Sequence, residues 1–158
     1  MLTVEHVRLW NSRIGLSARS PLAPDIAVVV THLAHSAANV KDRTRQVERL
    51  LPWAAARGET RVLMGDLNAD FDAPEMQPVF TTYRDAWAEA ARDGTARGIG
   101  SGSTRPGRES RIDYVLYAGD GLILDSAEVV DTAGLLGTEA SDHRPVVGTF
   151  RIRPGGSR

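Results

Sequence analysis

Apolar positions along the chain follow two rhythms. Ile26 to Thr31 is a short β-branched run that predicts a buried strand, ending in His32-Leu33-Ala34-His35. Asn39 followed by Asp42 resembles a capping box, and Val40, Val47, Leu50 and Ala54 then fall near helical spacing. Pro52 has no N–H to donate and its ring crowds the preceding turn, so it is expected to kink or restart that helix. Gly58 marks its expected end. Arg61 to Gly65 predicts a second strand with an acidic cluster at its C-terminal end. Pro74 suits the first turn of a short helix, and Asp85 to Arg92 predicts another, closed by Gly94.

Residues 94 to 110 are rich in Gly, Ser, Arg and Pro and predict a mobile surface loop. Arg111 to Tyr117 alternates as a strand does, with Asp113, Val115 and Tyr117 on one face and Ile112, Tyr114 and Leu116 on the other. Strand-like stretches follow at Leu122 to Leu124 and Ala127 to Val130. A last strand is expected at Val146 to Ile152, entered from Ser141-Asp142-His143-Arg144-Pro145. This alternation of strands and helices predicts an α/β or α+β domain.

Composition narrows the class. A chain of 158 residues is the size of one globular domain, and such a chain buries roughly two-thirds of its unfolded surface. The longest aliphatic run, Ile26 to Val30, is far short of the roughly 20 residues of a membrane helix. The opening MLTVEHVRLW lacks the charged start and apolar stretch of a signal peptide, which makes the cytoplasm the default location. Without cysteine there are no disulfides or thiolate metal sites. With 19 Lys+Arg against 20 Asp+Glu, the chain as a whole lacks the electrostatic footprint of a strong non-specific nucleic-acid binder.

Four polar clusters stand at predicted strand ends, where a rigid sheet holds side chains that can still reach a shared cleft. They are His32, Asp66 with Asn68, Asp113, and Asp142 with His143. Taken singly, most have a bland alternative. A histidine after a strand is often an edge residue with one hydrogen bond, and Asp-x-Asn is common turn chemistry. Asp142-His143 alone is a plain loop start before Pro145. Asp113 is harder to dismiss, because a carboxylate in an apolar strand costs several kcal/mol unless paired, and an imidazole would serve as its donor. Asp66, Asn68, Asp70 and Asp72 imitate an EF-hand opening, but Phe71 and Gln77 stand where that loop needs Gly and Glu. Gly98-Ile99-Gly100-Ser101-Gly102 is neither a dinucleotide fingerprint nor a phosphate loop. His32 and His35 lie three apart as the chain leaves a strand, a poor geometry for joint metal chelation.

Together and in this order, Thr31-His32-Leu33, Gly65-Asp66-Leu67-Asn68, Arg111-Ile112-Asp113-Tyr114 and Ser141-Asp142-His143 resemble the signatures of the endonuclease/exonuclease/phosphatase superfamily, the deoxyribonuclease I-like fold. The match spans about residues 26 to 150. The resemblance implies a metal-dependent phosphoesterase acting on a phosphodiester or phosphomonoester. His143 would activate or orient the attacking water and contact the phosphate, and Asp113 would hold its ring and stabilise the imidazolium. Asp66 would position the nucleophile or protonate the leaving group. Asn68 would donate to a phosphoryl oxygen or bind metal, and His32 would stabilise the phosphate or assist the leaving oxygen. Asp142, with Asp66 and Asn68, would hold the cation. Carboxylate and amide oxygens suit Mg2+ or Mn2+.

The resemblance covers only the second half of the family domain. The first half brings an Asn and a metal-binding Glu in a Gln-Glu string, and neither string occurs here; Glu5 lies in Val4-Glu5-His6-Val7. Met1 therefore reads as an internal start, a truncated gene product or a deliberate fragment. The expected architecture is half of a four-layer α/β/β/α sandwich, a single partial domain over 1-158 with its core at 26-152. It is mostly one mixed sheet with helices on its outer face. Such a half exposes apolar sheet surface, which predicts self-association or a complementing first half as partner. The alternative to an enzyme is a non-catalytic fragment or a binding or assembly module. The substrate stays open among DNA, RNA, nucleotide, inositol phosphate and lipid headgroup. Arg105, Arg108 and Arg111 are candidate phosphate clamps, with a solvated basic loop as the alternative.

Overall fold

A computed structural model describes residues 3–153. Met1, read above as an internal start, lies outside the described residues, as do 154–158. Among the described residues, nine strands form two sheets. The larger has six strands, in the order β1 (Thr3–Arg8), β2 (Ile14–Ser20), β3 (Ala23–His32), β4 (Arg61–Asp66), β7 (Asp113–Ala118) and β5 (Arg84–Asp85). It is mixed: β3 runs parallel to β4, and the other pairings are antiparallel. The smaller sheet has three strands, β6 (Ala96–Gly98), β8 (Leu122–Val129) and β9 (Val146–Ile152). The fold is thus mixed α+β and built on a large mixed sheet, as expected.

Period-two alternation assigns each strand residue to a face of the large sheet. On the outer face, Val29, Leu63 and Leu116 are in register across β3, β4 and β7. They pack in one core with Val47, Leu50 and Ala54 of α1 (Val40–Ala55) and Val79 of α2 (Gln77–Thr82). Gly15 lets α1 approach β2, since a Cβ there would sit 3.0 Å from Leu50 Cδ1. On the inner face, Val62, Val115 and Tyr117 pack against the small sheet, with Tyr117 and Phe150 edge to face at 5.0 Å between ring centroids. Helix α3 (Ala86–Arg92) joins this second core through Ala86 and Ala90.

Several local expectations need correction. Two strands, β1 and β2, precede residue 26, the expected start of the core. The Asn39 side chain makes no cap; Ser36 accepts from the Ala38 N–H and starts a 3-10 turn that leads into α1. Pro52 does not break α1, which continues to Ala55, because it falls in the last turn where only one interior bond is lost. The two stretches around 122–130 are one strand with a register shift between Leu124 and Ser126. A short helix, α4 (Thr132–Leu136), was not anticipated. Among the described residues, no helix is long and apolar enough to cross a membrane.

Candidate active site

Three neighbouring strands end on one row. His32 on β3 is the register partner of Asp66 on β4, which is the partner of Asp113 on β7. All three point from the inner face. The Gly-Asp-x-Asn string has a backbone reason. At Gly65, with φ of +134°, a Cβ would lie 1.9 Å from the Thr31 carbonyl oxygen. Only glycine lets β4 run this close to β3 and still deliver Asp66 beside His32. Asn68 then takes the left-handed conformation, with φ of +53°, which asparagine tolerates better than most residues.

Asp66 and Asn68 brace each other. The Asn68 N–H donates to Asp66 Oδ1 at 2.8 Å, and its Nδ2 donates to Asp66 Oδ2 and to the Leu33 carbonyl, both at 3.1 Å. That leaves the Asn68 amide oxygen as its uncommitted polar atom. His32 Nε2 lies 3.4 Å from Asp66 Oδ2.

His143 arrives from the other sheet, on the loop that leads into β9. Its backbone N–H donates to Ser141 Oγ at 3.2 Å, which accounts for the serine in Ser-Asp-His. Its Nδ1 lies 2.8 Å from Asp113 Oδ2. This is the imidazole partner that a carboxylate in an apolar strand demands. The contact spans the two sheets and fixes the tautomer: with Nδ1–H given to Asp113, Nε2 is the free ring nitrogen. Burial pushes the Asp113 carboxyl above its usual range, and the nearby charge of Asp66 adds to the rise; hydrogen bonds from Thr104 and His143 oppose it.

One ligand atom from each of Asp66, Asp113 and His143 lies within 4.8 Å of the others. Among the described residues, neither carboxylate has a lysine or arginine partner. Two oxygen donors this close without a basic side chain between them fit a hard divalent cation. Asp142, expected on the metal, stands apart from that cluster. It is exposed, and its Oδ1 accepts from Ser141 Oγ at 3.3 Å. It does line the same cleft, of about 710 Å³, with Asn68, His143, Asp70, His35, Arg105 and Arg108.

Thr104 was missed in the sequence. It is fully buried, and its Oγ1 accepts from the Ile112 N–H at 3.2 Å and the Asp113 N–H at 3.3 Å. It holds the start of β7 and so positions Asp113. Arg111, by contrast, does not reach the cleft. It pairs with buried Asp85 and lies against the rings of Trp87 and Tyr114.

Comparison with known proteins agrees with this geometry. A model of the Endonuclease/Exonuclease/phosphatase family matches residues 2–143. No curated protein matches the chain. Among solved structures, the human Nocturnin catalytic domain with bound sulfate anion superposes with a TM-score of 0.73 at 18% identity, over 96% of this chain and 59% of that one. An endonuclease/exonuclease/phosphatase from Beutenbergia cavernae has a TM-score of 0.70 at 26% identity, over 95% of this chain and 44% of that one. The mannosyl-6-phosphatase of Bacteroides thetaiotaomicron has a TM-score of 0.69 at 16% identity, over 95% and 66%. The chain therefore spans at most about two-thirds of the length of these neighbours. On the family match and the shared fold, the chain belongs to the endonuclease/exonuclease/phosphatase family.

Proposed function

We propose that this chain carries the water-activating and phosphate-binding residues of a divalent-metal-dependent phosphoesterase. The observation that carries the reading is the Asp113–His143 pair meeting the His32–Asp66–Asn68 group across the seam between the two sheets. A phosphate ester is anionic, so its hydrolysis needs a base for water, an acid for the departing oxygen and positive charge on the phosphoryl oxygens. His143 Nε2 is the free basic atom and takes the proton from water as the water oxygen bonds to phosphorus. Asp113 favours the imidazolium that results. As the phosphorus–oxygen ester bond breaks, the departing oxygen takes a proton from protonated His32, whose Nε2 lies 3.4 Å from the Asp66 carboxylate, and His32 is left neutral. Mg2+ or Mn2+ would neutralise phosphoryl charge, and the oxygens that suit it are the Asp66 carboxylate and the free Asn68 amide oxygen, with Asp142 lining the same cleft but apart from them.

Hydrolysis of bis(p-nitrophenyl) phosphate with Mn2+ tests the reading. His143→Ala and a chelator should each reduce the rate, the former by about 10²- to 10⁴-fold. A rate that survives both rejects it.

A second reading is favoured by the inner face of β1 to β3, where Leu16 and Val30 stay open to solvent. There the chain is a non-catalytic fragment or assembly module, completed by a second copy or a complementing polypeptide. Absence of turnover, together with a melting temperature that Mn2+ does not raise, selects this reading.

A further inference from the structure

The loop between β6 and β7, predicted mobile from its Gly, Ser, Arg and Pro content, carries a network of internal hydrogen bonds. The Ser103 hydroxyl, buried, lies 3.1 Å from the carbonyl oxygens of Arg105 and of Ser110 and also meets that of Arg108. The Thr104 N–H donates to the Ser110 carbonyl at 3.1 Å. Arg144, the residue after His143, donates its N–H to the Thr104 carbonyl at 2.8 Å, and its Nη1 lies 3.3 Å from the Ser103 carbonyl. The loop is therefore tied to both members of the Asp113–His143 pair.

Its tip is a tight turn, Arg105-Pro106-Gly107-Arg108. The Arg108 N–H donates to the Arg105 carbonyl at 3.1 Å, and Gly107 has φ of +71°. Proline second and a positive-φ glycine third are the signature of a type II turn, whose outer Cα atoms lie within about 7 Å. Both arginines line the cleft that holds His143 and Asn68. Among the described residues, neither guanidinium has an ion pair or a hydrogen bond, whereas Arg43, Arg111 and Arg144 each hold a carboxylate. The acidic residues of the cleft, Asp70, Asp72 and Asp142, stand beyond ion-pair distance of both, and Asp70 accepts the Arg111 N–H.

Two arginines carried on the two ends of one tight turn and lining one cleft repel each other until an anion bridges them, and each presents a fork matched to phosphate oxygens. On the phosphoesterase reading the scissile phosphate lies beside His143 and Asn68, which line the same cleft. We infer that Arg105 and Arg108 form a pincer for a second phosphate group of the substrate, next to the ester that is cut. This rests on the phosphoesterase reading and names its substrate class: esters with a neighbouring phosphate, from a nucleic-acid strand or a multiply phosphorylated small molecule. They determine specificity and stay outside the proton transfers.

The test is equilibrium binding to the full chain at physiological ionic strength. Wild type should bind thymidine 3′,5′-bisphosphate about tenfold more tightly than thymidine 5′-monophosphate. Arg105→Gln/Arg108→Gln should erase that ratio and leave the monophosphate within about twofold. Arg105→Lys/Arg108→Lys should keep part of it, and Arg97→Gln, a change at an exposed arginine outside the cleft, should keep all of it. Equal affinities in wild type, or a glutamine variant that weakens both ligands alike, overturns the pincer. Comparing 5′-phosphorylated dithymidylate with an inositol bisphosphate identifies the source by which one loses more affinity in the glutamine variant. Binding needs no turnover, so failure of hydrolysis with the ratio intact removes the phosphoesterase reading alone. His143→Ala should lose hydrolysis and retain the ratio.

Discussion

The two faces of the six-stranded sheet are made by the same strands and the same alternation, yet they end differently. On the outer face Leu63 and Leu116 are 0% exposed beneath α1 and α2. On the inner face, Val62 and Tyr117 of β4 and β7 are buried by the small sheet, while Leu16, Val30 and Val4 of β1 to β3 are 41%, 42% and 59% exposed. The row of His32, Asp66 and Asp113, proposed above as catalytic, lies across this boundary. Asp113 and Asp66 stand at the covered end with side chains 18% and 17% exposed, and His32 at the open end is 56% exposed. Rigidity is thus concentrated on the residues that hold the proposed base. The residue proposed to serve the leaving oxygen faces solvent, on the same face as the exposed Leu16, Val30 and Val4.

The comparison breaks most visibly in the core of the outer face. Leu63→Ala removes a side chain with no room to collapse around, and should cost about 2–5 kcal/mol in urea unfolding. The matching change on the inner face, Leu16→Thr with Val30→Thr, should cost less, about 1 kcal/mol, because both side chains are already partly open to solvent and threonine keeps β propensity. It should also shift sedimentation toward the monomer if this face mediates self-association. A loss comparable to that of Leu63→Ala would show that the inner face of β1 to β3 is covered in solution.

The same contrast explains what could be read in advance. Strands β3, β4 and β7 are legible because each is apolar enough to be buried on at least one side, β9 because Val146 and Phe150 put a half-buried apolar stripe on one face, and the polar groups at their ends break that pattern. Asp113 is legible through cost alone: a carboxylate among Ile112, Tyr114 and Val115 needs a donor, and the structure supplies His143. Strands β1 and β2 are not legible, because Thr3-Val4-Glu5-His6-Val7-Arg8 is mostly exposed and its pattern carries no core stripe. Thr104 is not legible either. Its task is to receive backbone N–H groups eight and nine residues away, and that contact exists only once the loop has folded. Arg105, Arg108 and Arg111 look alike in sequence. They part only in three dimensions, where Asp85 and two aromatic rings claim Arg111.

The smallest expected effect concerns what fastens the His143 loop over the covered end. Glu139 accepts from Thr132 Oγ1 at 2.6 Å and from Arg144 Nε at 3.1 Å, and these two partners, Thr132 first, hold its carboxyl below the usual range. A depressed folded value stabilises above the unfolded value of 4.5, and that stabilisation is lost as pH falls through the folded value. Asp113 runs the opposite way. Its raised value stabilises at acid pH, and that contribution fades as pH rises through the folded value. The raw melting curve therefore mixes two trends. The difference between wild type and Glu139→Gln isolates one, since Asp113 is common to both. That difference in melting temperature should be positive and flat at neutral pH, and should shrink toward zero as pH falls below the unfolded value of 4.5 and through the lowered folded value. A difference independent of pH down to strongly acid solution would mean that the carboxylate charge plays no part in holding the loop. The Arg144 contacts with Ser103 and Thr104 would then fasten His143 unaided.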